Sequence, residues 1–412
     1  MNHAHRSIRR AARAGLTVSA SLLCGAVAAQ ADDPNPYYIG VTQAFTRDSN
    51  IFRVPDGPGD TYSSTGIVAG LDQPIGRHRV YANANVRNNR FNDLDQLNNV
   101  SYGINGGLDW SALDKLSGNL NVFSNRNLAN YSAAIDEQVA RRNVETTDQI
   151  MARVQYGLAG LLSIDGGIAH RRLDYSDSAF ASLRFRQDSL FAGVKYRPSG
   201  ALTLGVGLRG TKGKYPSIDV DFDRRDIDFT ATWIPTGLST INARLSATRQ
   251  DNKGSGVQTR SISGATGFLG WDYKPTGKLS FRTAISRDTG TETSFLRLSD
   301  DAPASVAFGD TAKLTNALTV SGKYDATAKI AVTAAGKYAK RELSDALVVI
   351  SGVPEVTGSD RFGSVGLGLT YAPTRNWLLG CNIGYEKRGA RGGLSTSYEA
   401  DTASCSAQFV IR

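Results

Sequence analysis

The feature that most constrains the fold is an alternation of apolar and polar side chains with a period of two residues. In "LTLGVGLRG", which begins at Leu202, every second residue is apolar, and "RRDIDFTATW", "TINARLSAT" and "KLSFRTAIS" repeat the pattern. A period of two is that of a β-strand, whose successive side chains point to opposite faces of the sheet. The chain is therefore predicted to be all-β, with long strands that each have one apolar face.

A second regularity is an aromatic residue just before each of a series of short turns, as in "YRPSG", "WIPTG", "YKPTG" and "YAPTR". These turns recur about every 40 residues, the length of two long strands, a tight turn and a longer connection. The longer connections are polar, for example "TKGKYPSIDVDFD", "RQDNKGSGVQTR" and "SDALVVISGVPEVTGSD". The aromatics beside the short turns are Trp110, Tyr156, Tyr196, Trp233, Tyr273, Tyr324 and Tyr371.

Short turns at one edge, long loops at the other and a girdle of aromatic rings are typical of a transmembrane antiparallel outer-membrane β-barrel. Backbone groups must all pair in hydrocarbon, so such a sheet has to close on itself. Counting segments gives about 18 strands, an even number that places both termini in the periplasm. A soluble β-propeller has a similar repeat, but its blades contain four short strands instead of two long ones. We therefore predict a barrel in the outer membrane of a Gram-negative bacterium, with periplasmic turns, extracellular loops and membrane lipid around it.

The N-terminus has the pattern of a secretion signal. A basic "HRSIRRAARAG" precedes an apolar "LTVSASLLCGAVAA" and a small-residue site at Ala29–Ala31. Residues 1–31 are therefore predicted to be a signal peptide, and residues 32–412 the barrel. The four arginines in the signal account for part of the formal charge of +9, which leaves about +5 on the mature chain. This dispersed charge does not indicate nucleic-acid binding.

The charged residues on the polar face suggest a selective interior. If the apolar face contacts lipid, basic residues outnumber acidic ones inside, where only Asp109 and Asp165 add to the two acids named below. A water-filled channel lined by cations favours anions, although Arg–Asp pairs that merely brace a polar wall are the alternative. The residues predicted to line the lumen are Arg87, Arg153, Arg171, Lys195, Arg209, Arg244, Arg282, Lys323, Lys337, Asp226 and Asp228.

Two cysteines remain in the mature chain, Cys381 and Cys405, both on the apolar face of the last two strands. A hairpin centred on Gly393 would set them opposite each other, within disulfide range in an oxidising compartment. Two free lipid-facing thiols are the alternative. The few histidines make a metal site improbable, and no motif indicates catalysis. We therefore expect neither enzyme activity nor a cofactor.

The segment "NPYYIGVTQAFTRDSNIFR", residues 35–53, resembles the start of the exosortase-associated, EpsL-type outer-membrane proteins of exopolysaccharide biosynthesis, within a superfamily of β-barrel porins. The similarity continues more loosely to about residue 110. It implies a role in exopolysaccharide biosynthesis or export, with inner-membrane or periplasmic export machinery as partner. Together with the basic interior it predicts a passive conduit for an acidic polysaccharide. A general diffusion porin for small anionic solutes and a structural or adhesive barrel are the alternatives. The first strand is expected to close the ring against "SCSAQFVIR".

Overall fold

The chain folds into a single sheet. The computed structural model describes residues 35–112, 115–129, 131, 141–157, 161–217, 219–254, 260–289, 312–344, 357–392 and 394–412. The predicted signal peptide lies outside these residues. No helix in the described part is long and apolar enough to cross a membrane.

The sheet contains eighteen strands, each antiparallel to its neighbours in sequence. β1 pairs with both β2 and β18, with Phe45 opposite Cys405 on β18, so the sheet closes into a barrel. The all-β class, the strand number and the pairing of the first strand with the last are thereby confirmed. The strands are β1 (Tyr37–Asp48), β2 (Asp60–Ile75), β3 (His78–Phe91), β4 (Asn99–Ala112), β5 (Leu116–Leu128), β6 (Val144–Tyr156), β7 (Leu162–Tyr175), β8 (Phe185–Ser199), β9 (Leu202–Tyr215), β10 (Val220–Thr236), β11 (Ser239–Gly254), β12 (Arg260–Tyr273), β13 (Leu279–Asp288), β14 (Ala312–Asp325), β15 (Ile330–Ser344), β16 (Thr357–Tyr371), β17 (Trp377–Arg391) and β18 (Tyr398–Ile411).

The barrel turns its apolar residues outward. On β9, the Leu208 residue is 64% exposed, whereas its neighbours Arg209 and Thr211 are buried. The same alternation runs along β1, where Ile39 and Val41 are exposed. A continuous apolar band around a closed sheet is stable only against hydrocarbon, because in water it would drive association. The protein is therefore an outer-membrane β-barrel, with lipid packed around this band.

The seven aromatics that precede short turns lie on the lipid-facing side of their strands, at one end of the barrel. Tyr37, Trp271, Trp377 and Phe409 also lie on the lipid-facing side at this edge. Trp271 stacks on Tyr273 with ring centroids 5.3 Å apart, and Trp377 packs against Phe409 at 5.1 Å. Amphipathic rings favour the membrane interface, so this edge marks one boundary of the bilayer.

This arrangement predicts that all tryptophan side chains lie at about the same depth in the bilayer. The chain contains four tryptophans, and Trp110, Trp233, Trp271 and Trp377 all lie near this edge. Brominated lipids should quench them most strongly when the bromine lies near the glycerol end of the acyl chain. The Trp233→Phe variant should lower the signal without changing that depth. Strongest quenching by bromine at the end of the acyl chain would contradict the assignment.

Two predicted long loops are wrong, because the strands continue through most of their residues. The β9–β10 connection is only residues 216–219, and the β11–β12 connection only residues 255–259. Pairing continues up to Tyr215 opposite Val220. Outward positions here are charged instead of apolar, which resembles a loop in the sequence. The strands on this side therefore rise beyond the apolar band while they remain hydrogen-bonded.

Candidate functional site

An apolar cluster occupies the end of the barrel opposite the aromatic girdle, and we call it the mouth cluster. It combines inward-facing residues at the ends of β3 and β7–β10 with described residues of four connections: 49–59, 92–98, 129 with 131 and 141–143, and 176–184. Because the strand members point into the barrel, the buried residues of these connections lie in its mouth instead of outside it. The buried members are Ile51, Phe52, Phe91, Leu97, Ala129, Tyr131, Leu173, Tyr175, Phe180, Phe185, Tyr215, Val220 and Phe222.

Aromatic contacts join three of these connections. Phe180, in a short 3-10 helix spanning Ser178–Leu183, lies 5.6 Å from the ring of Tyr175 and 6.4 Å from that of Tyr131. Phe52 meets Tyr131 at 5.1 Å. The Tyr131 hydroxyl donates to the Arg141 carbonyl at 2.6 Å, and burial raises the pKa of Tyr131 to about 12. Rings of this size contribute most of the stability of such a cluster.

The connection 49–59 is held at the mouth by charge as well. The Arg53 guanidinium donates to Asp48 at 2.8 Å and forms an ion pair with Glu386 of β17. Burial alone would lower the pKa of Arg53, but Glu386 and Asp48 outweigh it and raise that pKa above its ordinary value. Asn50 donates to the Glu399 carbonyl at 3.0 Å. The connection is therefore attached to β17 and β18 on one side and to the mouth cluster on the other.

A buried network of ions lies on the inner wall of β9 and β10. Arg209 donates twice to Asp228, at 3.0 Å each, and Arg224 donates to Asp226 at 2.9 Å. The side chains of Arg209, Arg224 and Asp226 are at most 1% exposed. Two cations and two anions balance each other, which is the condition for burying charge at tolerable cost. Two of the predicted lumen residues, Arg209 and Asp226, therefore lie within the wall and present almost no surface to the lumen.

A second network lies across the inner faces of β15, β16 and β17. Arg341 donates to Asp360 at 2.8 Å, Ser395 donates to the same carboxylate at 2.7 Å, and Arg388 lies 5.0 Å above the ring of Tyr398. Sequence reasoning missed these residues, because Asp360 ends a segment that was interpreted as a loop. The alternation in "SDRFGSVGLGL" is the signal that could have placed Asp360 inside.

Nearer the short turns, inward-facing cations are partly exposed, and most have an acidic partner. Arg153 and Lys195 share Asp165, and the Lys195 nitrogen lies 3.5 Å from its carboxylate. The other pairs are Arg282 with Asp272 at 2.6 Å, Lys323 with Asp325 at 2.9 Å, and Arg79 with Asp72 at 2.6 Å.

The interior contains more ion pairs than the sequence suggested. The carboxylates of Asp72, Asp272, Asp325 and Asp360 also face inward, and each forms an ion pair. All four lie at strand ends or in a segment interpreted as a loop, where the alternation is hardest to assign. Four further inward cations, Arg79, Arg224, Arg341 and Arg388, accompany these acids, so basic residues still outnumber acidic ones, but most inward charges are paired.

The remaining predicted lumen residues occupy inward positions in different surroundings. Arg171 is buried, with its guanidinium 5.1 Å from the ring of Phe185. Arg87 is half-buried, and within the described part of the chain it forms no ion pair. Arg244 and Lys337 are half-buried on β11 and β15. Arg87 and the Arg153–Lys195–Asp165 group are therefore two places where partly exposed inward cations exceed their acidic partners.

The two cysteines of the last strands lie opposite each other. Cys381 of β17 pairs in register with Cys405 of β18, their Cα atoms are 4.1 Å apart, and the side chains form a disulfide. Both side chains occupy the lipid-facing side. The bond cross-links the hairpin next to the closing seam of the barrel.

Within the described part of the chain, the titratable groups outside the lumen form no arrangement typical of metal binding or catalysis. Among the residues that the structure describes, no group of three or more His, Cys, Asp or Glu could hold a metal ion. His170 lies on the outer face, where its Nδ1 is 2.7 Å from the Asp188 carboxylate. Nothing in this part of the chain indicates catalysis.

Comparisons with known proteins find related architecture only. No family model and no curated protein matches the chain. Solved structures that are similar include the Pseudomonas aeruginosa outer membrane protein opdK, at 12% identity and a TM-score of 0.47, which covers 91% of this chain and 99% of that one. P. aeruginosa OpdO is 14% identical with a TM-score of 0.47, over 91% and 96% of the two chains. OccK2 (OpdF) of the same species is 13% identical with a TM-score of 0.47, over 91% and 98%. Similarity at this level does not assign a transported molecule.

Proposed function

We propose that this protein is a passive outer-membrane channel for small solutes, with a weak preference for anions. The mouth cluster carries this proposal. Described residues of four connections pack inside one end of the barrel through buried apolar side chains, and we expect them to narrow the path beside β3 and β7–β10. Small solutes pass such a constriction more easily than a hydrated polymer does. Export of an acidic polysaccharide, with an export apparatus as partner, gains no support from the fold or from the comparisons and is the less favoured function.

The inner wall has the chemistry for weak attraction. Arg153 and Lys195 share the single carboxylate of Asp165, so this partly exposed group carries a net positive charge. Arg87 adds a further inward cation elsewhere in the barrel. A channel passes ions when each site attracts them weakly and several sites follow one another. The paired charges elsewhere hold water and stiffen the wall without adding net charge.

Selectivity measurements test this mechanism. Neutralising both cations in Arg153→Gln/Lys195→Gln leaves Asp165 alone, so the group changes from net positive to net negative. The ratio of chloride to potassium permeability, from reversal potentials in a planar bilayer under a KCl gradient, should fall roughly twofold or more. Lys212→Gln/Arg249→Gln removes two positive charges from the outer face and should leave the ratio unchanged. An unchanged ratio in the double variant would remove these residues from the path.

Conductance and solute size separate the remaining functions. Protein that inserts into bilayers but conducts no ions would support a structural or adhesive barrel. Liposome swelling should be fast with monosaccharides or small organic anions and should slow steeply with oligosaccharide length. Equal rates for short and long oligosaccharides would favour the polymer conduit over the small-solute channel.

A further inference from the structure

The outer face of the barrel becomes charged above its apolar band, and on β8–β11 acidic and basic residues are mixed there. Lys212 lies directly opposite Asp188 on one side and Asp223 on the other. Arg249 lies 3.5 Å from Asp251 on the same strand. Opposite charges on neighbouring strands stabilise a sheet. Arg186 faces Lys214 and Arg225 faces Arg249 here, but Lys214 also pairs with Asp219 and Asp221, so acidic residues accompany most cations of this part of the rim.

The charges on β13–β17 are arranged differently. Arg287, Lys340, Arg361 and Lys387 point outward there, and we call them the basic rim patch. Arg287 is opposite Asn316, Asn316 is opposite Lys340, and Lys340 is directly opposite Arg361. Like charges directly opposite each other destabilise a sheet. The arrangement is therefore unfavourable unless an external anion compensates it.

Little within the described residues compensates it. At the outward positions of these five strands, Glu342 is the one acid, and it lies 4.0 Å from Lys340. Lys387 pairs with Glu399 of β18. Arg361 is exposed, with no hydrogen bond or ion pair to any residue that the structure describes. The patch therefore keeps a net positive charge that is open to solvent.

The patch lies at the height of lipid headgroups. Tyr338 lies two residues below Lys340, and Tyr385 two residues below Lys387; both rings face outward and are 50% and 38% exposed. Tyrosines of this kind mark the boundary between hydrocarbon and headgroups. Arg287 follows the exposed Ile285 in the same way. The cations therefore begin where the apolar band ends, on the side opposite the aromatic girdle.

We propose that the basic rim patch binds the phosphate groups of anionic lipids in the outer leaflet. A phosphate can accept two hydrogen bonds from the Arg361 guanidinium while the Lys340 ammonium approaches as a point charge. Its negative charge relieves the repulsion between these two side chains. The acyl chains of the same lipid then lie along the apolar residues beneath them. This lipid site does not depend on what the lumen transports.

Lipid retention tests the site. Detergent-solubilised protein is titrated with phosphatidylglycerol or with zwitterionic phosphatidylcholine, and bound lipid is counted by native mass spectrometry. Lys340→Gln/Arg361→Gln should weaken retention of phosphatidylglycerol about tenfold or more, because each surface cation contributes appreciably to anionic-lipid binding. The matched control Lys212→Gln/Arg249→Gln removes two outward cations that have acidic neighbours, and it should bind phosphatidylglycerol as the wild type does.

Three further measurements test the same lipid site. The single variant Arg361→Gln should show an intermediate loss, and added salt should weaken lipid binding to the wild type. Millimolar inorganic phosphate should leave phosphatidylglycerol bound if the acyl chains contribute to the site. The proposal is overturned if the double variant retains lipid like the wild type, if the control variant loses as much, or if free phosphate displaces the lipid completely.

Discussion

Replacing residues 178–183 with a short Gly-Ser linker should raise the single-channel conductance several-fold. These residues form the 3-10 helix that carries Phe180, whose surface is only 2% exposed within the mouth cluster. Phe180 contacts Tyr131 and Tyr175, so its removal takes away the anchor that the connections share. Segments that lose their buried apolar contacts open readily, whereas the barrel wall keeps its backbone hydrogen bonds. The measurement is the conductance of single insertions in a planar bilayer.

Point variants separate the packing of the cluster from the length of the segment. Phe180→Ala removes the ring but keeps the backbone, and truncating a buried phenylalanine costs about 3–5 kcal/mol of local packing. We expect frequent transitions to higher conductance levels instead of a steady increase. Ser182→Ala changes an exposed residue of the same helix and should conduct as the wild type does. If replacing residues 178–183 with the Gly-Ser linker leaves the conductance unchanged, the mouth cluster does not limit the path. The proposal of a small-solute channel then loses its main support.

The sequence alone predicted the barrel because two different solvents act on the two faces of each strand. Where lipid covers one face of a strand and water the other, neighbouring residues differ strongly in polarity, as Leu208 and Arg209 do on β9. The short turns mark the strand ends in the sequence, since most of them follow an aromatic residue on the lipid-facing side. Strand number, closure and the lipid-facing positions of the cysteines all follow from that contrast and its period.

The same physics explains what sequence reasoning missed. Above the apolar band both faces of a strand meet polar surroundings, so the contrast disappears and "TKGKYPSIDVDFD" resembles a loop. Tyr215 and Phe222 lie in that segment, yet they point inward and belong to the mouth cluster. An apolar residue at a strand end has the same appearance in sequence whether it contacts lipid or a loop folded into the barrel. Only tertiary packing distinguishes the two, so the feature that carries the proposed function was not visible in the sequence.

Substituting Asp226→Asn should destabilise the barrel far more than any single change among its exposed charges. The Asp226 side chain is fully buried, and it accepts from Arg224 at 2.9 Å and from Thr248 at 2.6 Å. Arg209 also lies 3.5 Å away. The amide would leave two buried guanidinium groups with one carboxylate, and breaking a buried ion pair costs about 3–5 kcal/mol. The temperature at which the folded band disappears from unboiled SDS gels should therefore fall markedly.

Matched variants show whether burial is the cause. Asp325→Asn breaks a pair with Lys323 in which the carboxylate is 42% exposed, and an exposed pair contributes about 0–1 kcal/mol, so its unfolding temperature should barely change. Adding Arg224→Met to Asp226→Asn removes one of the uncompensated cations and should recover part of the loss. An unfolding temperature for Asp226→Asn equal to that of the wild type would mean that water reaches this part of the wall. The network would then face the water of the lumen instead of being buried in the wall, and Arg209 would again be a residue that lines the solute path.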